Sequence, residues 1–252
     1  MLPAAAGAQV DFCGITNTAF TAGEKLQFRV YYNMGRIWVA AGEASFNVAQ
    51  EKLGTKEVYH IIGDGKTLKS YEWFYKVKDR YETFIDMATM LPVKFIRNVD
   101  EGGFRIYNNV SFNQRIGQAV STKGVFKIPA CIQDVLSAIY YARSIDYNKY
   151  KPGARIPFAM YLDDEVHNLY IRYVGKEKIE TKYGTFNAIK ISPLLVKGTI
   201  FSGGEQMMIW VSDDANHIPL RISSPIAVGS IKVDMLGYSG LRSPLKSLVS
   251  KK

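Results

Sequence analysis

The chain predicts an all-β, mainly antiparallel fold: a large curved sheet or half-open barrel wrapped around one central helix at about residues 131–145. Three observations carry this expectation. Apolar and polar residues alternate with period two over most of the chain, turn-forming residues punctuate the alternation, and one longer segment switches to helical spacing. The composition agrees, since 47% hydrophobic, 13% aromatic and 22% charged residues describe a globular chain rich in strand formers.

The opening stretch, Met1 to Gln9, carries small residues spaced like the tail of a signal peptide, with Ala6-Gly7-Ala8 matching an A-x-A cleavage pattern. The basic and long apolar regions that belong before such a site are missing. The expectation for 1–22 is a truncated signal-peptide tail and N-terminal segment, with a plain Ala-rich end as the alternative. Strands begin after it. Leu26, Phe28, Val30 and Tyr32 share one face against Lys25, Gln27, Arg29 and Tyr31, and Ala44, Phe46 and Val48 alternate with Glu43, Ser45 and Asn47. The spacing of Tyr71, Phe74 and Tyr75 suits a short helical turn before a strand at 78–85. Further on, Asp100-Glu101-Gly102-Gly103 suits a hairpin between strands near 92–99 and 103–113, with Phe104, Ile106, Val110 and Phe112 inward.

From Cys131 to Ser144, Val135, Ala138, Ile139 and Ala142 form one helical stripe beside Leu136 and Tyr140, bracketed by Pro129 and Pro152-Gly153. Strands resume at 155–162, 166–174, 186–192, 207–211, 218–222 and 228–236, and the segment beyond Leu241 has no strong pattern and is expected to fray. Residues 23–242 therefore predict a single β-rich domain with a basic tail at 243–252. Two half-size β domains joined at 129–152 are the alternative. No apolar run is long enough to span a bilayer.

The net charge of +9 comes from 32 Lys and Arg against 23 acids interleaved along the strands, which reads as a mildly basic solvated surface. No RRM, KH, zinc-finger or helix-turn-helix signature accompanies it, so nucleic acid is not expected as a partner. Two cysteines, Cys13 and Cys131, are the minimum for one bridge, and an oxidising compartment would let them pair; two buried free thiols are the alternative. Neither has a second Cys or His at ligand spacing, so no metal is expected there.

Polar constellations are few. On an extended strand Asp163, Glu165 and His167 would share a face and could hold a divalent metal or act as acid and base, against the plainer reading of a polar hairpin turn. Asp213-Asp214-Ala215-Asn216-His217 offers oxygen donors without the Gly and terminal Glu of a calcium loop, so turn chemistry explains it. His60 reads as a structural histidine on an apolar strand. Gly63-Asp64-Gly65-Lys66 is too short for a P-loop, no G-x-S-x-G elbow exists, and Cys131 has no neighbouring base. No catalytic residue, metal or cofactor is expected. What remains is a groove between sheet and helix, for which Trp38, Tyr71, Trp73, Phe74, Tyr140 and Tyr141 are the ligand-pocket candidates, against a reading of all six as plain core.

Several strings occur together in order: Ala22-Gly23-Glu24-Lys25, Tyr31-Tyr32-Asn33-Met34-Gly35, Ala41-Gly42-Glu43-Ala44, Asp134 to Arg143, Tyr183-Gly184-Thr185-Phe186, and Trp210-Val211-Ser212-Asp213-Asp214 with Ile218-Pro219-Leu220-Arg221. As a set they resemble the DUF3108 family of exported bacterial proteins, from about Gly23 to Arg242, and are most similar to its Bacteroides-type members. The resemblance implies export to the periplasm or cell envelope and a β-rich fold, and supplies no activity, catalytic residue or cofactor. The expected function is a non-enzymatic envelope protein, monomeric by default, that binds a lipid or other hydrophobic or amphiphilic envelope component. A structural or adaptor protein of envelope assembly and a hydrolase of envelope glycan or lipid are the alternatives.

Overall fold

The computed structural model describes residues 13–34, 37–197, 203–226 and 229–251. The expected signal-peptide tail at Ala6-Gly7-Ala8 lies outside them. The first half holds β1 (Lys25–Met34), β2 (Ile37–Leu53), β3 (Lys56–Thr67), β4 (Val77–Asp86), β5 (Pro92–Glu101), β6 (Phe104–Asn113), β7 (Gln118–Ser121) and β8 (Gly124–Lys127). Helix α1 (Val135–Arg143) follows. The second half holds β9 (Arg155–Leu162), β10 (Glu165–Glu180), β11 (Gly184–Pro193), β12 (Met208–Ser212), β13 (Pro219–Pro225), β14 (Ser230–Ser239) and β15 (Leu248–Lys251).

All these strands lie in one antiparallel sheet ordered β8-β7-β6-β5-β4-β3-β2-β1-β14-β13-β12-β11-β10-β9, with β15 added against β11. Strand β1 pairs with β2 on one side and β14 on the other, so a continuous ladder joins the two halves of the chain. Alternation sets which face is packed. In the β2–β3–β4 ladder Phe46 faces Gly63, and Val48 faces Ile61. A Cβ at position 63 would lie 2.9 Å from the Phe46 ring, so only glycine lets that ring cross the neighbouring strand toward α1.

The sheet wraps the helix. Leu136 and Tyr140 pack with Phe20, Val48, Tyr59, Ile61 and Ile85 on one side, while Tyr141 and Ala142 pack with Ile156, Ile171, Tyr173, Ile189 and Val211 on the other. A nine-residue helix is too short to be stable by propensity, and burial of its aromatic and Leu side chains, at roughly 2–3 kcal/mol each, holds it. It is shorter than the 131–145 expected. Cys131 sits at φ 59 in a turn, and Asp134 starts the helix as N-cap, accepting from Leu136 N at 2.9 Å and Ser137 N at 2.8 Å while Ser137 Oγ accepts from Asp134 N at 2.8 Å. The reciprocal cap fixes the start where apolar spacing alone placed it four residues earlier. Burial pushes the Asp134 carboxyl up to about 6, and Thr83 Oγ1 donates to it at 2.6 Å.

The sheet is not closed by a ladder between β8 and β9. Instead the segment before α1 fills the gap: Gln133 N donates to Ala159 O at 2.9 Å and Tyr161 N to Gln133 O at 2.8 Å. Tyr161 stacks edge-on to Phe112 at 5.7 Å and lies among Phe95, Val110, Ile128 and Ile132. Cys13 and Cys131 are joined by a disulfide across 118 residues, with Cα atoms 5.3 Å apart. It ties the start of the described chain to this seam, and Phe20 then inserts between Tyr59 and Tyr140. The tail differs from expectation, because Leu248–Lys251 forms β15 with Leu248 opposite Phe186.

Candidate functional site

The connections β1–β2, β3–β4 and β5–β6 all fall at one end of the sheet and are neighbours there, since the strand order is β6-β5-β4-β3-β2-β1. That rim is apolar and exposed. Trp73 is 83% exposed, Ile37 67%, Phe74 63% and Phe104 52%, with Trp38 and Tyr75 also open to solvent. Phe104 was expected inward, but as the first residue of β6 it overhangs the core. The β3–β4 loop is held rather than loose: a 3₁₀ turn at Lys69–Tyr71 is followed by Phe74 N donating to Tyr71 O at 3.0 Å. Thr67 Oγ1 donates to Tyr75 O at 3.0 Å and accepts from Val77 N at 2.9 Å, and Gly102 N donates to Lys76 O at 2.8 Å. Gly102 (φ 61) leaves room for the Tyr75 ring, which a Cβ would meet at 2.6 Å. Trp73 Nε1 donates to Ser70 O at 3.0 Å, and its ring lies edge-on to Phe74 at 6.0 Å.

Cations ring these side chains. Lys69, Lys76 and Lys78 are exposed on the β3–β4 connection and the start of β4, Arg105 follows Phe104, and Lys232 Nζ lies 4.8 Å over the Trp38 ring. Beside the rim, across β1 to β6, lies a cleft of about 940 Å³ whose lining includes Glu43, Asp64, Lys66, Lys78, Arg80 and Arg105. Glu43 alternates along β2 with Ala44, which lies opposite the core residue Phe28, and Lys78 and Arg80 flank Asp79, which lies opposite the core residue Val99, so these side chains are on the face turned away from α1. Arg80 pairs with Asp64 at 3.2 Å and Arg105 with Asp100 at 3.1 Å.

On the core side of the same strands two acids meet. Asp79 hydrogen-bonds Glu101, and burial first, then the Glu101 charge, pushes the Asp79 carboxyl up to about 7. The same burial, with both acids nearby, raises the Tyr75 hydroxyl. Arg97 pairs with Asp163 and donates from Nη2 to Asn108 Oδ1 at 2.6 Å. Among the described residues no cluster of three His, Cys, Asp or Glu has metal-binding geometry.

Of the six aromatic pocket candidates, Trp38, Tyr71, Trp73 and Phe74 stand at the rim, whereas Tyr140 and Tyr141 are buried against opposite walls of the core. They do not line one pocket. Nor do Asp163, Glu165 and His167 converge: Asp163 reaches Arg97 at φ 55, and His167 Nε2 turns back to Leu162 O at 3.3 Å. His60 lies between Glu51 and Glu82, 2.8 Å from each, with its ring stacked on Phe84 at 4.1 Å. Cys131 is in the disulfide rather than in the helix. Asp214 accepts from Ser212 Oγ and Asn216 N, both at 3.0 Å, so Asp213 to His217 is a turn of the Asx kind.

One fully buried ion pair was not singled out from sequence. Arg143, at the last turn of α1, makes a bidentate pair with Glu24 at 2.6 and 2.7 Å, their side chains 2% and 0% exposed. Arg143 Nε also donates to Asn216 O at 3.1 Å, and His217 Nδ1 donates to Arg143 O at 2.7 Å. Burial holds the His217 imidazole below its ordinary pKa. Glu24 and Arg143 belong to two of the strings that carry the family resemblance, which was the available signal.

The architecture defines a class, a half-open antiparallel β-barrel enclosing one helix. The chain belongs to the DUF3108 family, described as a protein of unknown function, which matches residues 27–236. No curated protein matches it. A β-barrel-like protein of the DUF1849 domain from Brucella abortus superposes with a TM-score of 0.56 at 7% identity, covering 90% of this chain and 99% of that one. A candidate lipoprotein from Parabacteroides distasonis aligns with a TM-score of 0.40 at 13% identity, covering 89% and 99% of the two chains. A candidate exported protein with a YmcC-like fold from Bacteroides fragilis aligns with a TM-score of 0.35 at 11% identity, covering 90% and 100%. Among the described residues no helix is long and apolar enough to cross a membrane.

Proposed function

We propose that this is an exported, non-enzymatic protein of the periplasm or cell envelope that binds an amphiphilic envelope component, with lipid as the class, through the aromatic rim. The single supporting observation is the rim itself: Ile37, Trp38, Trp73, Phe74 and Phe104 are exposed at the same end of the sheet, with lysines on the β3–β4 connection among them. Exposed apolar side chains set among cations are costly to leave in water and suit the interfacial zone of a lipid assembly. Withdrawing one such aromatic side chain from water is worth roughly 2 kcal/mol, and each Lys near an anionic surface about 1 kcal/mol. Several of each give reversible binding without a spanning segment.

The groove first expected between helix and sheet is not part of this reading, because Leu136, Tyr140, Tyr141 and Ala142 fill that interface. The continuous β1–β14 ladder supports one unit over 23–242. The test is co-sedimentation with vesicles of phosphatidylcholine, with and without phosphatidylglycerol. The reading requires binding that rises with the anionic fraction, and an unbound protein at every composition would end it. An adaptor role finds support in the short edge strand β8, where Val125 is 63% exposed and offers a ladder to a partner strand. Masking β8 by Val125→Pro would abolish capture of such a partner and leave vesicle binding intact.

A further inference from the structure

We infer that the cleft beside the rim is a binding site for a phosphate group, held between Lys66 and Lys78. This rests on the amphiphile reading and names the headgroup chemistry that the rim's occupant carries. In the β3–β4 register Lys66 is directly opposite Lys78. Directly opposed residues have Cβ atoms about 5 Å apart, and like charges so placed repel. A pair of this kind is relieved when an anion bridges the two ammonium groups.

The carboxylates nearest the two lysines, Glu43 opposite Lys66 and Asp100 opposite Lys78, are each also engaged by an arginine. Asp64 is engaged by Arg80 at 3.2 Å and Asp100 by Arg105 at 3.1 Å. Glu43 is divided between Arg29 at 3.3 Å and Lys66 at 3.6 Å. Asp79 also touches the cleft, but it alternates with Lys78 and Arg80 along β4 and hydrogen-bonds Glu101 on the core side. Lys78 has no ion-pair partner among the described residues. Lys78 follows Trp73 and Phe74 of the aromatic loop by five and four residues, and Arg105 follows Phe104, so the cleft adjoins the rim.

The shared chemistry is phosphate, and its source is either a lipid headgroup or a free phosphate. The experiment follows amide shifts of the full chain on titration with glycerol phosphate and with inorganic phosphate, beside binding to phosphatidylglycerol vesicles. Three variants are compared: K66Q/K78Q in the cleft, K69Q/K76Q removing the same charge outside it, and W73A/F74A at the rim. Saturable glycerol phosphate binding that W73A/F74A keeps and K66Q/K78Q loses is expected. On vesicles, K66Q/K78Q should lose about tenfold more affinity than K69Q/K76Q. Inorganic phosphate binding as tightly, with no vesicle difference between the two Lys variants, would assign the same site to free phosphate. Absence of saturable binding by either small ligand overturns the site. Loss of vesicle binding in W73A/F74A alone would then still support the rim, so the two readings fail separately. K66Q/K78Q removes the Lys66–Lys78 repulsion together with an exposed Lys66–Glu43 pair, so its melting temperature should stay close to that of the native chain, and that measurement separates lost binding from unfolding.

Discussion

Replacing Glu24 by Gln keeps the shape of the side chain and removes its charge, leaving the Arg143 guanidinium buried beside two carbonyls and two aromatic faces. The carbonyls of Asn216 and Ala19 accept from Arg143 at 3.1 and 3.4 Å, and its guanidinium lies 4.9 Å from the Tyr140 ring centre. These are dipoles and quadrupoles, and cannot replace a carboxylate that makes two bonds of 2.6 and 2.7 Å. Breaking a fully buried pair from one side costs about 3–5 kcal/mol, a large share of the roughly 5–15 kcal/mol total stability of a typical domain. Because the pair links the start of β1, the end of α1 and the turn before β13, the loss is global. Urea unfolding followed by near-ultraviolet circular dichroism should show a lower midpoint at unchanged slope, with a melting temperature down by roughly 10 °C. The double variant E24L/R143M removes both charges and should recover most of the loss, with a coupling of about 2 kcal/mol or more. A cost below about 1 kcal/mol for E24Q, or additive costs in the double variant, would mean that the pair is solvated and does not pin the helix.

The remaining expectations concern the interior acids and the bridge. Asp79 is held protonated up to about 7 while its unfolded counterpart ionises near 4, so its contribution to stability is present at low pH and is lost as pH rises from about 4 through 7. Discounted for its half-open position, the change is about 2 kcal/mol, and Asp79→Asn should flatten that part of the stability–pH curve relative to the native chain. An unchanged slope in the variant would remove the carboxyl pair as its origin. Asp134→Ala deletes the helix cap and strands the Thr83 hydroxyl, at about 2–3 kcal/mol in chemical denaturation, whereas a surface-cap value under 1 kcal/mol would contradict its burial. Cys13→Ser opens a loop of 118 residues and should cost about 2–5 kcal/mol; free-thiol labelling of the unreduced native chain should find no cysteine.

What was legible in the sequence follows from the range of each signal. Period-two alternation reports which face a residue uses, and it placed Leu26, Phe28, Val110 and Phe112 correctly in the core. It does not report depth along a strand, which is why Phe104, on the same face as Val110, overhangs the end instead of packing. The Gly102-Gly103 turn was readable because both residues need positive φ, at 61° and 92°. Apolar spacing found α1 but not its start, since Asp134 and Ser137 settle that by local hydrogen bonding. Aromatic residues look alike in one dimension, and only the packing separates Tyr140 and Tyr141 in the core from Trp73 and Phe74 on the rim. The Glu24–Arg143 pair spans 119 residues and has no local signature, and β15 is a four-residue strand that exists only because β11 offers it an edge.

The proposed lipid contact at the rim is tested most directly by depth-dependent quenching. With Trp38 and Trp210 changed to Phe, Trp73 alone reports the rim; with Trp38 and Trp73 changed, Trp210 reports β12. On phosphatidylglycerol vesicles containing brominated acyl chains, Trp73 emission should shift to the blue and be strongly quenched, while Trp210 emission stays as in buffer. Equal quenching of both, or none at Trp73 with the protein bound, would place the contact elsewhere on the molecule.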